Sequence, residues 1–244
     1  MNAKVLEITG LRKIFGKQLA VDDVNLYAEE GQIVGLIGAN GAGKSTTLNM
    51  TTGLIEPTSG TIMVDGLDLR KKRGSALSRM NIASTYTSLP GSLTVRESLL
   101  FYGRLYSVRQ VSIRVDELIE IFDLSSMRTK LLRNLSTGQR VRVNLAKALI
   151  NNPRLLILDE AFSNLDPIVA LGVQQYLEVW VGRNSSAILT TSHNMADIET
   201  YCNYVYVIKA GRIIASGSPA GLKHQYSQES LAQMFFAANH PGDK

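Results

Sequence analysis

Gly38-Ala39-Asn40-Gly41-Ala42-Gly43-Lys44-Ser45 decides how this chain is read. It meets the phosphate-loop pattern G-x-x-x-x-G-K-[ST] at every fixed position. Ahead of it, Gln32-Ile33-Val34-Gly35-Leu36-Ile37 reads as a buried strand; behind it, Thr46 to Thr52 continues as a helix. Strand, glycine turn and helix together make an anion cradle. Residues without a Cβ let backbone N–H groups turn inward, and the helix N-terminus adds unpaired donors and a partial positive charge. In such a cradle Gly38, Asn40, Gly41, Ala42, Gly43 and Thr46 wrap the phosphates. Lys44 reaches the terminal ones, and the Ser45 hydroxyl faces Mg²⁺.

A second stretch completes the chemistry. In Leu155-Leu156-Ile157-Leu158-Asp159-Glu160, four apolar residues run straight into two acids. An unbroken apolar run reads as a central parallel strand buried on both faces. Its acids then lie at the carboxyl end, where open α/β sheets bind ligands. Asp159 is positioned to hold Mg²⁺ through water, and Glu160 to polarise or deprotonate an attacking water. Ala187 to Ser192 forms a further apolar strand and ends in His193, within reach of a γ-phosphate.

Around these, Val5 to Glu29 alternates in short β-like stretches, a small antiparallel sheet with Phe15-Gly16 on a turn. Phe15 there is either core or a stacking platform for a nucleotide base. From Ser92 the pattern becomes helical: Thr94 and Glu97 form a capping box, and apolar residues recur at helical spacing through Leu105 and again through Phe122. Ser136-Thr137-Gly138-Gln139 opens another helix and, taken alone, reads as an ordinary cap. Tyr204 to Ile208 and Arg212 to Ala215 are strands, and a helical tail starts at Pro219. Arg70-Lys71-Lys72-Arg73 reads as a solvated loop or helix start, with a lipid-surface role second. His224 and His240 have no functional context.

Composition narrows the class. The 244 residues are 45% hydrophobic, enough for one substantial core, and no apolar run reaches the length of a membrane span. The N-terminus lacks a signal-peptide layout. The lone Cys202 permits no internal disulfide, suits a reducing compartment, and reads as a small buried hydrophobe. A net charge of +5 suits an anionic ligand or a membrane surface but is too small to argue for nucleic acid alone.

The order of motifs resembles the ATPase subunit of ABC transporters across nearly the whole chain: phosphate loop, helical insert, Leu135-Ser136-Thr137-Gly138-Gln139, the Asp159-Glu160 strand, Ser163-Asn164-Leu165-Asp166 and His193. The resemblance implies an α/β phosphate-loop NTPase core with a mostly parallel sheet, a small antiparallel β subdomain and an inserted helical subdomain. The whole of 1–244 is then one ABC ATPase domain. Its core comprises 1–91 and 153–218, the signature lobe 92–152 and the short tail 219–244. It further implies ATP and Mg²⁺ as ligands, and two copies head to tail. Each ATP lies between one phosphate loop and the other copy's Ser136-Thr137-Gly138-Gln139. Phe15 matches the base-stacking aromatic, Asp166 a partner contact, and His193 the γ-phosphate sensor. The implied partners are a separate integral membrane subunit and a second ATPase subunit, identical or paralogous, with no nucleic acid. The implied location is the cytoplasmic face of the inner membrane. Phe101-Tyr102-Gly103-Arg104-Leu105-Tyr106 and the short tail are similar to exporters of drugs, lipids or polysaccharides.

Three positions depart from the family pattern. Thr85 stands where a Mg²⁺-contacting glutamine is usual, Thr137 replaces a signature glycine, and Ala161 replaces the proline after the catalytic Glu. The expectation is hydrolysis slower than usual, with a nucleotide-gated binding module as the alternative.

Overall fold

A computed structural model describes residues 3–84, 89–192 and 194–239. In chain order the elements begin with β1 (Lys4–Phe15), β2 (Gln18–Glu29), β3 (Ile33–Ile37), α1 (Lys44–Thr51), β4 (Ser59–Val64), β5 (Leu67–Asp68), α2 (Arg73–Leu77) and β6 (Met80–Ser84). Next come α3 (Val95–Leu105), α4 (Val111–Ile121), two single 3₁₀ turns and α5 (Thr137–Ala148). The remainder is β7 (Leu155–Asp159), α6 (Pro167–Arg183), β8 (Ala187–Thr191), α7 (Met195–Tyr201), β9 (Tyr204–Lys209), β10 (Arg212–Gly217), α8 (Pro219–Gln225) and α9 (Leu231–Asn239).

Two sheets result. One is antiparallel with order β2-β1-β4-β5. The other has order β10-β9-β3-β8-β7-β6; its strands run parallel except β10, which returns antiparallel on β9. The fold is α/β, as expected. The apolar run of β7 is explained by two cores sharing one sheet. Leu156 and Leu158 enter the core under the helices α3 to α6, whereas Leu155 and Ile157 enter the core between the two sheets. β3 divides the same way, with Ile33 and Ile37 on one side and Val34 and Leu36 on the other. Alternation of side chains along a strand therefore produces no alternation of polarity here.

Some expectations are refined. The short stretches from Val5 to Glu29 are two strands of 12 residues each, interrupted by register shifts rather than by turns. β7 lies one strand in from the β6 edge, while β3 and β8 hold the middle. Helices on one face and the antiparallel sheet with α1 on the other bury a strand whatever its rank in the sheet, so burial pattern alone does not locate it. The basic run is a turn and helix start. Asp68 accepts from the Arg70 and Lys71 amides at 2.9 and 3.1 Å, and Arg73 opens α2 while donating to the Gly53 carbonyl at 2.6 Å. Cys202 is buried, and that burial pushes its thiol far above the usual range. No helix among the described residues is long and apolar enough to cross a membrane.

Candidate nucleotide site

β3 delivers the chain to the loop 38–43, and α1 carries it away. Gly43 has φ +110°. A Cβ built there would lie 2.8 Å from the Ala20 carbonyl oxygen of β2, so the turn is closed to any larger residue. α1 starts with no side-chain cap and no acid in its first turn. Its leading amides and dipole are thus left for an anion. Further on, the Thr47 amide and hydroxyl both donate to the Gly43 carbonyl at 2.9 Å.

Lys44 is 9% exposed and folds back over the loop, its Nζ donating to the carbonyls of Gly38 at 2.6 Å and Ala39 at 3.2 Å. Burial lowers its pKa, and the fields of Glu160 and Asp159 partly restore it. A phosphate would complete what these neutral carbonyls leave undone, since an adjacent anion favours the ammonium.

β7 brings the acids to the same place. Asp159 Oδ1 accepts the Thr191 hydroxyl at 2.7 Å, and Asp159 stands in register with Ser84 on one side and Thr191 on the other. Glu160 follows in a left-handed conformation, φ +53°, with its amide donating to the Thr191 carbonyl at 3.1 Å. That conformation is uncommon outside glycine and marks the residue where the strand bends away from the sheet. Ser163 Oγ donates to the Glu160 carbonyl at 2.9 Å and ties down the turn that follows.

A cleft of about 700 Å³ unites these parts. Phe15, Asn40, Gly41, Gly43, Lys44, Ser45, Thr46, Asp159 and Glu160 line it, together with Gln18, Leu19, Ala20 and Ala210. Phe15 ends β1 at the mouth, 45% exposed, with Lys13 Nζ 5.0 Å from its ring centroid. Gly38 lies beneath the loop as the acceptor for Lys44. Ala42 is buried and lines an adjoining hollow with Ala39, Asn40 and Gly41. Thr191, Gln18, Leu19, Ala20 and Ala210 were not expected at the site; of these Thr191 carried a signal, as a polar residue ending a strand beside Asp159. Thr85 and His193 lie outside the described residues.

Ser136 and Gln139 form a reciprocal capping box at the start of α5: the Ser136 amide donates to Gln139 Oε1 at 3.0 Å, and the Gln139 amide to Ser136 Oγ at 3.3 Å. Thr137 Oγ1 accepts from Arg140 at 3.5 Å. A Cβ on Gly138 would sit 3.3 Å from the Asn164 carbonyl oxygen. None of Ser136, Thr137, Gly138 or Gln139 lines the phosphate cleft; Thr137 lines a separate one with Arg140, Asn144 and Asn164. Asp166 is exposed and caps α6, accepting from the Ile168 amide at 2.9 Å.

Residues 21–163 match the sequence profile of the family described as ABC transporter. Among curated relatives, Nod factor export ATP-binding protein I of Cupriavidus metallidurans is 38% identical, over 88% of this chain and 71% of that one. Probable multidrug ABC transporter ATP-binding protein YbhF of Escherichia coli K12 is 35% identical, over 98% of this chain but 42% of that one. Among solved structures, an ATP binding subunit of an ABC transporter superposes with a TM-score of 0.90 at 27% identity, covering 96% of this chain and 99% of that one. A dimeric ATP-binding cassette bound to ADP and Pi, MJ0796, reaches a TM-score of 0.78 at 22% identity over 87% of this chain and 98% of that one, a likeness of fold.

Proposed function

The chain belongs to the ABC transporter family as an ATP-binding domain, and from that premise we propose that it is the ATP-hydrolysing motor subunit of an exporter. The observation that carries the proposal is the single cleft shared by Lys44, Ser45, Asp159 and Glu160. ATP enters with its base against Phe15 and its β- and γ-phosphates over the amides of 40–46. Glu160 accepts a proton from the water that attacks the γ-phosphorus, the bond to the bridging oxygen breaks, and ADP and phosphate leave. Mg²⁺ fits this donor set. Among the described residues no group of three or more His, Cys, Asp or Glu forms a self-sufficient metal cage. A cation that keeps its waters and arrives with phosphates needs only a hydroxyl and a carboxylate, here Ser45 and Asp159. When bound, it neutralises charge on the β- and γ-oxygens. His193 and Thr85 are proposed as γ-phosphate and Mg²⁺ contacts.

Ser136 to Gln139 stand apart from the phosphate cleft, which favours their use on another copy's ATP, with Asp166 at the contact between copies. In this reading 1–91 and 153–218 form the core, 92–152 the signature lobe and 219–244 the tail. A separate membrane subunit receives the motion at the cytoplasmic face. Export follows the printed names of the relatives, for Nod factor and for multidrug transport. Thr137, engaged by Arg140 where a glycine is usual, favours a second reading: a nucleotide-gated clamp of low turnover.

Phosphate release by the full chain, with and without membranes carrying its partner, tests the proposal. The motor reading expects Mg²⁺-dependent release that Glu160→Gln lowers about 10²–10⁴-fold while ATP binding persists. Release unchanged in Glu160→Gln refutes the role of Glu160. Binding with negligible release in both settings supports the clamp.

A further inference from the structure

Among the described residues, strand β6 ends the six-stranded sheet and pairs with β7 on one side. Helix α5 covers that edge. Asn144 Nδ2 donates to the Ser84 carbonyl at 2.8 Å, and Lys147 Nζ donates to the Ile82 carbonyl at 2.9 Å. The donors are three apart on one helix face, about 4.5 Å along its axis, and the acceptors two apart on one strand edge, about 6.6 Å, a difference that the side-chain lengths span. Lys147 also reaches Asn81 Oδ1 at 3.3 Å and lies 5.7 Å from the Tyr102 ring centroid of α3.

Both side chains are costly choices. Lys147 is 5% exposed, and among the described residues its hydrogen-bond partners are neutral. Asn144 is 7% exposed, and its Oδ1 is buried with no hydrogen-bond partner among the described residues. An apolar residue at either position would avoid a buried charge or an orphaned acceptor but would withdraw the α5 donor from the Ile82 or Ser84 carbonyl, so the two costs oppose each other. Stability alone therefore does not account for them.

Their position does. α5 begins at the Ser136 cap, and Lys147 lies about 16 Å further along its axis at 1.5 Å per residue. The strand they hold ends at Ser84, in register with Asp159. We propose that Asn144 and Lys147 are positioning residues that lock α5 to the end of β6, so that movement of the Ser136–Gln139 end is transmitted to the Asp159 end of the cleft. This deepens the motor reading and rests on it. In a head-to-tail pair, the signature of each copy serves the other's ATP, so the lock joins the two nucleotide sites mechanically.

The test compares the full-length chain with Lys147→Met, Lys147→Arg and Asn144→Leu in melting temperature, ATP affinity, turnover and the Hill slope of turnover against ATP. Asn144→Leu keeps the volume and trades the orphaned acceptor against the lost donor to Ser84, so its melting temperature reads folding separately from the lock. The expected result for Lys147→Met and Asn144→Leu is a melting temperature within a few degrees of wild type, ATP affinity within about twofold, turnover lower by about tenfold and a Hill slope near one. Lys147→Arg recovers most of the loss. Wild-type turnover and slope in both disrupting variants overturns the proposal, as does a loss that tracks melting temperature and is not recovered by arginine. If the unaltered chain binds ATP without releasing phosphate, the motor reading fails and the lock is judged by hydrogen exchange. Amides 82–84 then gain protection on ATP binding in wild type and not in Lys147→Met; equal protection in both overturns the lock.

Discussion

Replacing Gly43 by Ala separates steric from conformational demands on the phosphate loop. At φ +110° a Cβ-bearing residue sits well beyond the ordinary left-handed region, at a cost of about 1–3 kcal/mol. The added carbon also falls 2.8 Å from the Ala20 carbonyl, a backbone group held within β2, and such overpacking costs a further ~1–3 kcal/mol. The free loop relieves this strain by moving, and ATP must then restore the geometry at its own expense. Even the lower total, about 2 kcal/mol, weakens binding roughly 30-fold. Gly41→Ala is the control. Its φ is +79°, but an added Cβ there meets nothing within 4 Å, so only a conformational cost of about 1 kcal/mol remains, worth roughly fivefold. Equilibrium titration of both variants with a fluorescent ATP analogue and Mg²⁺ gives the two constants, and melting curves without nucleotide confirm folding. Equal affinities for the two variants would refute the steric reasoning, and native affinity in Gly43→Ala would refute the site.

Phe15→Ala removes the proposed base platform and should weaken ATP binding by about 1–3 kcal/mol while leaving triphosphate binding alone, as competition titrations would read. Ser136→Ala breaks the α5 capping box and should cost about 0.5–2 kcal/mol of stability by chemical denaturation. Burial lowers the Lys147 pKa from 10.5 to about 8, so between those values the unfolded chain binds more protons and stability rises with pH. The melting temperature of Lys147→Met relative to wild type should therefore be highest below pH 8 and fall toward pH 10; a relative value that rises with pH would contradict the assignment.

Much of this was legible because local chemistry and fold agree. The strand, turn and helix around residues 38–43 and the caps at Thr94 and Ser136 depend on neighbours within four residues, and the structure forms each where the sequence calls for it. The length of β1 and β2 was hidden by irregularity. Gly10 and Asp23, with φ of +59° and +56°, fall where the pairing shifts register, so a regular alternation of two breaks in mid-strand. β6 escapes a reading of the sequence because its five residues carry no turn signal and its buried polar Asn81 interrupts the apolar run. The pairing of Asn144 and Lys147 with β6 joins positions more than 60 residues apart, and on a helix whose other residues look ordinary neither stands out. Thr191 likewise acquires meaning only once β8 lies beside β7.

The separation of the phosphate cleft from the serine-capped end of α5 carries a kinetic corollary. Under the proposed head-to-tail pairing, each molecule holds two unlike halves of a reaction centre on different faces, idle by itself and doubly occupied when matched. In dilute solution the rate then grows as the square of protein concentration, and becomes linear only when pairs predominate. Dilution works as an off-switch, and a common scaffold that holds two copies side by side removes it by turning an encounter between strangers into a local closure.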